Sequence, residues 1–293
     1  MSELMDACIS RPLPERIQRA ERMAMQLRRD VVNTVYAAKD GHPAPCMSAA
    51  DLVAALYFDI LRLDPTRPNW QDRDRFILSK GHACPVMYAA LARRGFFPPA
   101  TLKTLRALDS ILQGHPDMKK TPGVDATSGS LGHGLPQGVG LALAARRRGI
   151  DSMTWVLTGD GELGEGIVWE AAMCAAKFRL ANLVAIVDNN RMQSGGMVEA
   201  VGGVTHLPAK WAAFGWHVVE IDGHDMAQVL SALDAATATG RTSTEGIPTV
   251  IIAHTVKGKG VPYMEGDNSW HKRVPTDEEH RIAMALLGGL DLE

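Results

Sequence analysis

The chain has 293 residues, of which 46% are hydrophobic and 22% are charged, and its formal net charge is −2. These values are typical of globular domains, and the nearly neutral charge gives no reason to expect a nucleic acid or an anionic membrane surface as a partner. Four cysteines without a C-x-x-C pair, together with the lack of a signal core or a bilayer-length apolar run, predict a cytoplasmic protein with reduced thiols.

The amino-terminal part of the chain predicts an arm and two helices. Residues 1–14 show no pattern and are expected to form the arm. Apolar residues then recur every three or four positions over residues 15–39, which predicts an amphipathic helix. The sequence Ser48-x-x-Asp51 resembles a capping box, so a second helix is predicted to begin there and to end near Leu61.

The next hundred residues alternate between short elements and loops. An apolar strand is predicted over residues 76–79, with a helix following it to residue 94. A short helix is predicted over residues 98–108, and a small-residue helix over residues 139–148. Residues 109–131 between them have no periodicity, and loops of this length within a compact domain are usually functional.

The centre of the chain reads as strand, acidic glycine turn, helix and strand. The two apolar runs, residues 153–158 and 182–188, have the length of buried strands. The turn of residues 159–166 and a helix over residues 167–178 lie between them. This is one βαβ unit, which implies a parallel sheet with a right-handed crossover.

The carboxyl-terminal part continues the alternation. Helices are predicted at residues 209–214 and 225–239, strands at residues 216–221 and 249–253, and a closing helix at residues 275–287. The expected fold is a single α/β domain over residues 1–293, with a doubly wound, mostly parallel sheet and helices on both faces.

Two polar residues follow the central strands at an informative separation. Asp160 and Asn190 are about one βαβ repeat apart, so both should lie at the edge where parallel sheets bind ligands. A carboxylate and a carboxamide are hard oxygen donors suited to Mg²⁺, which commonly completes its coordination with phosphate oxygens. The spacing therefore predicts a Mg²⁺-bridged diphosphate site, with Ca²⁺ or Mn²⁺ as substitutes.

The same turn also fits a second hypothesis. Residues 159–164 satisfy G-x-G-x-x-G, and Asp188 ends the next strand where a ribose-binding acid would lie, as in NAD-dependent dehydrogenases. Three acids in the turn oppose this hypothesis, because they would repel a bare pyrophosphate at the start of a helix. These acids are Asp160, Glu162 and Glu165.

Five of the ten histidines directly follow a glycine, namely His42, His82, His115, His133 and His224. Glycine permits sharp turns and close approach to a ligand, so the pattern indicates loop histidines that face one site. His224 is the exception, because a strand-to-helix turn capped by Asp225 explains it adequately.

With these features together, the sequence resembles transketolase. G-D-G followed about thirty residues later by N-N is the thiamine diphosphate signature. Residues 41–43 (GHP), 78–83 (LSKGHA), 114–116 (GHP) and 269–271 (SWH) resemble the family's four amino-terminal active-site histidine segments, in the family's order. Residues 129–134 (GSLGHG) resemble its coenzyme loop, although fused transketolases usually have glutamine in place of His133.

The resemblance implies a cofactor and its ligands. In this family an aspartate, an asparagine and the carbonyl two residues beyond it hold the metal; the matching groups here are Asp160, Asn190 and the backbone of Met192. The matching positions for thiamine diphosphate are His82, Gly129, Leu131, Gly159, Asp160, Gly161, Glu162, Asn190, Lys257 and His271.

The resemblance also implies the reaction, which is transfer of a two-carbon ketol unit from a ketose or ketose phosphate to an aldose or aldose phosphate. His42 and His271 would move protons, and His115 would hold the two-carbon fragment. His82 would lie between the coenzyme diphosphate and the substrate. Lys80 and Lys257 are further candidates for phosphate contacts.

One family component is expected on another chain. In transketolases a glutamate from a pyrimidine-binding domain activates the coenzyme, and that domain would lie beyond Glu293. The resemblance therefore implies the amino-terminal subunit of a split transketolase, with a carboxyl-terminal partner subunit in an α2β2 heterotetramer. Glu165 matches the glutamate that meets the activating glutamate across the interface; a solvated acid favoured by the helix dipole is the alternative.

Other functions remain open at this point. The chain could belong to another thiamine diphosphate enzyme, such as a deoxyxylulose-phosphate synthase or the α subunit of a 2-oxoacid dehydrogenase, or be a coenzyme-binding scaffold without turnover. The histidine set, His42, His82, His115 and His271, favours transketolase. A transketolase acting on a modified sugar, including a sulfonated one, is a further alternative.

Overall fold

The computed structural model describes residues 12–242 and 246–288. The strands are β1 (Arg75–Leu78), β2 (Thr154–Gly159), β3 (Leu183–Asn189), β4 (Met192–Gln193), β5 (Gly196–Met197), β6 (His217–Asp222) and β7 (Thr249–His254). The helices are α1 (Leu13–Ala38), α2 (Pro43–Ala55), α3 (Cys84–Arg94), α4 (Gly134–Arg147), α5 (Gly166–Lys177), α6 (Val198–Gly202), α7 (Leu207–Ala213), α8 (Met226–Thr242) and α9 (Asp277–Leu286).

Five parallel strands form the main sheet, in the order β1-β2-β3-β7-β6, and β4 and β5 form a separate antiparallel hairpin. The chain steps in one direction from β1 to β6 and then back to β7. Right-handed crossovers place helices on opposite faces when the direction reverses. The predicted doubly wound α/β fold is confirmed.

Strand side chains alternate between two hydrophobic cores. Trp155 and Leu157 pack in a core with residues of α1, α2, α3, α8 and α9. Val156 and Ala185 pack on the other face with residues of α4, α5 and α7. Strands β1, β2, β3 and β7 are covered on both faces and read in the sequence as apolar runs, whereas the edge strand β6 is largely exposed.

The register of the sheet aligns the strand ends that carry the polar residues. Gly159 at the end of β2 lies opposite Asp188 of β3, and Asn189 lies opposite His254 at the end of β7. The residues that follow β2 and β3 therefore emerge side by side, as the βαβ spacing predicts.

The start of the second helix is predicted wrongly. Helix α2 begins at Pro43, because proline is favoured in the first turn, where no intrahelical N–H partner is needed. Ser48 therefore lies inside the helix, fully buried, and its hydroxyl donates to Asp188 at 2.6 Å instead of capping. The helix continues into a π-helical turn, Leu56–Ile60.

Three other elements differ from the predictions, and two elements were not predicted. Helix α1 begins at Leu13, so the end of the predicted arm is helical, while residues 1–11 lie outside the described residues. Residues 98–108 contain only the 3₁₀ turn Pro99–Thr104. Helix α4 begins five residues early, at Gly134. The hairpin and α6 were not predicted.

Two further observations concern the cysteines and the helices, while Cys8 lies outside the described residues. Cys46, Cys84 and Cys174 are free thiols in the structure. Within the described residues, no helix combines the length and the apolar character that a membrane span requires.

Candidate active site

The predicted metal ligands lie side by side at the carboxyl edge of the sheet, on the turn after β2 and on the segment after β3. Asp160 is 3% exposed; its Oδ1 accepts from Gly161 N at 2.8 Å, and its Oδ2 accepts from the N–H of Arg191. Arg191 lies between Asn190 and Met192, and Asn190 Oδ1 accepts from Met192 N at 3.0 Å. The carboxylate of Asp160 is thus brought directly against the segment that carries the other two groups.

The chemistry of this turn fits a hard cation. Burial, followed by the neighbouring Asp188 carboxylate, raises the pKa of Asp160 to about 7, so a charged carboxylate here is costly without a compensating cation. In the part of the chain that is described, no three His, Cys, Asp or Glu side chains are arranged around a common metal position. One carboxylate with amide and peptide oxygens is a Mg²⁺-type donor set, and zinc would need nitrogen or sulfur ligands.

Asp188 is a structural acid beneath the turn. It is fully buried, and its carboxylate accepts from Lys80 Nζ, the Thr255 hydroxyl and the Ser48 hydroxyl. Lys80 also donates to Pro45 O at 2.8 Å, so its ammonium lies between helix α2 and the strand ends. Because Asp188 is fully buried and both of its oxygens already accept bonds from the chain, a ribose cannot reach it, which argues against the dinucleotide hypothesis.

Glu162 joins three separate loops of the site. Its Oε1 accepts from the Ser79 hydroxyl and from Gly132 N (2.7 Å), and its Oε2 accepts from Gly159 N at 3.1 Å. The side chain is buried, and burial raises the pKa of the carboxyl group. Glu162 was predicted to bind the coenzyme; in the structure its oxygens hold the end of β1, the loop before α4 and the end of β2 together.

Glycines in these loops permit the close contacts. Gly132 has φ +82°, and a Cβ there would lie 2.8 Å from Glu165 Cβ. A Cβ on Gly134 would lie 2.4 Å from the side chain of Ser79, whose hydroxyl accepts from Gly134 N at 3.1 Å. The loop of residues 128–134 therefore lies directly against the end of β1, and glycine is the residue that fits.

Three of the predicted catalytic histidines form a triangle. The ring centroids of His42 and His82 are 5.2 Å apart, those of His42 and His271 are 5.5 Å apart, and those of His82 and His271 are 5.3 Å apart. These residues come from the start of α2, the turn after β1 and the 3₁₀ turn Asn268–Lys272. Three chain segments that are far apart in sequence thus supply one imidazole cluster.

The imidazoles of this triangle are neutral at pH 7. Burial lowers the pKa of His42 to about 4, with smaller contributions from the charges of Arg106 and Lys272. Burial, followed by the charge of Lys80, lowers the pKa of His82 to about 2. The Nδ1 of His42 is buried and has no hydrogen-bond partner among the described residues, so this polar atom is left unsatisfied within the chain.

His271 has a defined tautomer. The Lys257 ammonium lies 2.9 Å from His271 Nδ1 and donates to Asn268 Oδ1 at 2.7 Å. Because an ammonium can only donate, His271 Nδ1 accepts and Nε2 carries the proton. Burial, followed by the Lys257 charge, lowers the pKa of His271 to about 3. Burial also lowers the pKa of Lys257 to about 8.

His115 lies against the predicted coenzyme loop. A Cβ on Gly129 would be 3.4 Å from His115 Cγ, so the ring packs on this glycine. The Tyr88 hydroxyl donates to the backbone carbonyl of His115 at 3.0 Å. Burial and then the charge of Arg106 lower the pKa of His115.

Arg106 was missed by the sequence analysis. Its backbone is left-handed, with φ +61°, and its side chain donates to Asp40 at 2.8 Å. Its charge contributes to the lowered pKa values of both His42 and His115. It lies within residues 98–108, which were predicted to form a helix, whereas the structure has only the 3₁₀ turn Pro99–Thr104 there, so the helix prediction carried no signal of its position.

Three other predicted residues lie at the surface of the site. Leu131 is 36% exposed, and His133 is exposed beside it, with Nδ1 3.2 Å from Leu131 O. Glu165 is exposed at the N-cap of α5 and makes no side-chain capping bond. An exposed carboxylate without a capping role is available to another molecule.

Residues 19–289 match the family model described as the thiamine diphosphate binding domain of transketolase. The chain belongs to the transketolase family.

Two curated transketolase subunits are similar over most of their own length. An apulose-4-phosphate transketolase subunit of Phocaeicola vulgatus is 41% identical over 268 residues, which cover 92% of this chain and 93% of that protein. The 6-deoxy-6-sulfo-D-fructose transketolase subunit SqwG of Clostridium sp. (strain MSTE9) is 42% identical over 247 residues, covering 84% and 88%.

Solved transketolases share the fold. The Leishmania mexicana transketolase superposes with a TM-score of 0.85 at 33% identity, covering 92% of this chain and 41% of that one. The chain thus spans about two fifths of the solved transketolase it matches. Membership of the transketolase family, together with the buried Asp188, overturns the dinucleotide hypothesis.

Proposed function

We propose that this chain is the amino-terminal subunit of a two-component transketolase that transfers a two-carbon ketol unit between sugars or sugar phosphates. The observation that carries the proposal is that the His42–His82–His271 triangle lies on loops at the edge of the sheet that also carries Asp160 and Asn190. A metal site that would bind the coenzyme diphosphate lies beside neutral imidazoles that would transfer protons, and these are the two functions that the chemistry requires of the protein.

The proposed metal site would bind the diphosphate of the coenzyme. Asp160, Asn190 and the carbonyl of Met192 would bind Mg²⁺, with Ca²⁺ or Mn²⁺ as substitutes. The remaining coenzyme contacts would come from His82, Gly129, Leu131, Gly159, Gly161, Lys257 and His271. When bound, thiamine diphosphate supplies the electron sink for breaking the bond beside the ketose carbonyl.

The histidines would handle protons and hydroxyl groups. His42 has an unpartnered Nδ1 and a pKa lowered to about 4, so it can accept a proton from a sugar hydroxyl at neutral pH. His271 presents Nε2–H and would donate to a carbonyl or hydroxyl oxygen. His115, beside Gly129, would hold the two-carbon fragment.

The activating glutamate would come from a carboxyl-terminal partner subunit, in an α2β2 heterotetramer. Two relatives named as subunits match this chain over 93% and 88% of their own length, which supports a two-component enzyme. Glu165, exposed at the start of α5, would meet the activating glutamate at the interface. A cytoplasmic location belongs to the same proposal and is supported by the free cysteine thiols.

A modified sugar is a second candidate substrate. The names of the two similar subunits specify apulose 4-phosphate and 6-deoxy-6-sulfo-D-fructose, and the identity to each is nearly equal. A sulfonate and a phosphate are both tetrahedral anions, so one site architecture can serve either. The ketose panel in the test should therefore include all these donors beside xylulose 5-phosphate.

The proposal is tested by ketol transfer to ribose 5-phosphate with Mg²⁺ and thiamine diphosphate. The chain is assayed alone and with the carboxyl-terminal transketolase subunit from the same genome. Activity only in the mixture is expected. Full activity of the chain alone would refute the need for a partner, and coenzyme binding without transfer from any ketose in the panel would refute the substrate class.

A further inference from the structure

His224, explained in the sequence as part of a turn, is one link in a partly buried chain of polar contacts. Its Nδ1 lies 2.6 Å from Asp51 Oδ2, and its Nε2 accepts from Val256 N at 2.8 Å. Because a backbone N–H can only donate, Nε2 is unprotonated and Nδ1 carries the proton. His224 therefore donates through Nδ1 and accepts through Nε2, and it joins helix α2 to the segment after β7.

The Asp51 end of this chain is fixed. Arg28 of α1 donates to both oxygens of Asp51, at 3.1 and 2.5 Å, and both side chains are at most 10% exposed. Although burial acts to raise it, the bond from His224 and the charge of Arg28 lower the pKa of Asp51, so this carboxylate is charged. Its orientation fixes that of the His224 ring.

The backbone around His224 is built for close approach. Gly223 N donates to His254 O at 2.8 Å, and a Cβ on Gly223 would lie 2.5 Å from Thr255 Cγ2. Glycine thus lets the turn before α8 lie directly on the end of β7, where His224 reaches Val256. This contact involves the segment that leads into the active site.

The next residue after Val256 is Lys257. Its backbone carbonyl accepts from Gly266 N at 2.9 Å, and its side chain is 1% exposed. Its ammonium contacts His271 Nδ1 at 2.9 Å and Asn268 Oδ1 at 2.7 Å. The polar chain from Arg28 therefore ends on an imidazole of the histidine triangle.

We propose that His224, oriented by Asp51, is a positioning residue that holds the Val256–Lys257 backbone so that Lys257 reaches His271 and the coenzyme diphosphate. The claim about the coenzyme rests on the proposed function. The claim about His271 does not, because the Lys257–His271 contact is present in the chain itself. In metal sites, residues that hydrogen-bond to a metal-binding side chain likewise orient it and so change the affinity for the metal.

A pair of substitutions separates positioning from general stabilisation. His224→Gln retains an acceptor near the position of Nε2 and can still bind Val256 N–H. His224→Asn retains a donor toward Asp51 but does not reach Val256. The full chain and both variants are compared in three measurements: melting temperature, thiamine diphosphate binding with Mg²⁺ by calorimetry, and the pH titration of the His271 ring by NMR without coenzyme.

We expect His224→Asn to weaken coenzyme binding about tenfold, and His224→Gln to remain close to the unsubstituted chain. In His224→Asn the pKa of His271 should rise, because the Lys257 ammonium is no longer held against Nδ1. Equal effects of the two variants, or an unchanged His271 titration in His224→Asn, would overturn the proposal. If the unsubstituted chain binds no coenzyme, the proposed function fails, and the NMR comparison still decides the positioning claim.

Discussion

The proposed metal site (Asp160, Asn190 and Met192) and the histidine triangle lie at the same edge of the sheet but are formed differently. The residues of the proposed metal site follow two neighbouring strands, and the register of β2 and β3 sets their relative positions. Asp160 and Asn190 already have backbone partners there. This half of the site is arranged by the sheet before any ligand arrives.

The histidine triangle depends on loops and on long-range contacts. His42 and His271 are separated by most of the chain, and their rings are 5.5 Å apart. His42 Nδ1 is buried without a partner, whereas His271 is held by Lys257. Under the proposed function, the difference predicts that Asp160 and Asn190 would govern coenzyme affinity, while the histidine triangle would govern turnover.

The largest effect is expected when one imidazole of the histidine triangle is removed. We expect His42→Asn to lower kcat of the reconstituted enzyme about 100-fold or more, because a positioned acid–base group contributes that much. Coenzyme affinity should change little. Steady-state kinetics and calorimetry measure the two effects, with the exposed His217→Gln as the matched control. Equal losses in kcat and coenzyme affinity would contradict the division between the two halves.

The opposite pattern, a loss of coenzyme affinity, is expected for a change in the proposed metal site. Asp160→Ala removes the carboxylate that would bind Mg²⁺, so the affinity for thiamine diphosphate should fall about 100-fold and lose its dependence on Mg²⁺. Calorimetry at several Mg²⁺ concentrations measures this. The exposed Asp72→Asn, in the loop before β1, is the control acid. Retained Mg²⁺ dependence in Asp160→Ala would show that the metal is bound elsewhere.

A smaller effect is expected at the residue that joins the loops. In Glu162→Gln an amide NH₂ faces donors from Ser79, Gly132 or Gly159, so at least one contact is lost. Loss of a hydrogen bond to a buried charged group should lower the free energy of unfolding by about 2 kcal/mol.

Coenzyme affinity in Glu162→Gln should fall about tenfold, because the loops that would contact the coenzyme lose their common anchor. Glu170→Gln, on the exposed side of α5, controls for the loss of one negative charge. Denaturant unfolding and calorimetry provide the two readouts. An unchanged stability in Glu162→Gln would mean that the three loops are held by other contacts.

The smallest effect is a pH dependence of stability. Burial lowers the pKa of His82 to about 2 from an ordinary 6.5, so unfolding takes up a proton between these values. The stabilisation that depends on a neutral His82 is therefore fully present above about pH 6.5 and is lost as the pH falls below it. By pH 5.5 the free energy of unfolding is lower by about 1 kcal/mol for this reason.

His82→Gln should remove this part of the pH dependence in the coenzyme-free chain. Denaturant unfolding at pH 7.5 and pH 5.5 measures it, and His217→Gln, on the exposed end of β6, should leave the dependence unchanged. If the free energy of unfolding of His82→Gln decreases between pH 7.5 and pH 5.5 as much as that of the unsubstituted chain, His82 is not held neutral in the fold.

The sequence was sufficient for the sheet and for the placement of Asp160 beside Asn190, because both depend on local patterns. Apolar strands of fixed length and a βαβ spacing determine where Asp160 and Asn190 emerge. Local patterns also explain the main error, since Ser48-x-x-Asp51 satisfies a capping motif, although the prolines before it start the helix earlier. There, two local signals conflict.

The rest of the site depends on contacts that no local pattern records. Asp51 and His224 are separated by 173 residues and meet only in the folded chain. The same is true of Arg106 with Asp40, and of Glu162 with Ser79. The resemblance to transketolase indicated which histidines matter, but their tautomers and pKa shifts follow from burial and partners that only the structure supplies.

The need for a second subunit is tested by the rate at which the thiazolium C2 proton of thiamine diphosphate exchanges with deuterium. The rate is measured by NMR with Mg²⁺ and this chain, with and without the carboxyl-terminal partner. We predict that the chain alone binds the coenzyme but leaves the exchange rate near that of free thiamine diphosphate, and that the partner accelerates it about 100-fold or more. The same acceleration with the chain alone would contradict the claim that activation comes from a second polypeptide.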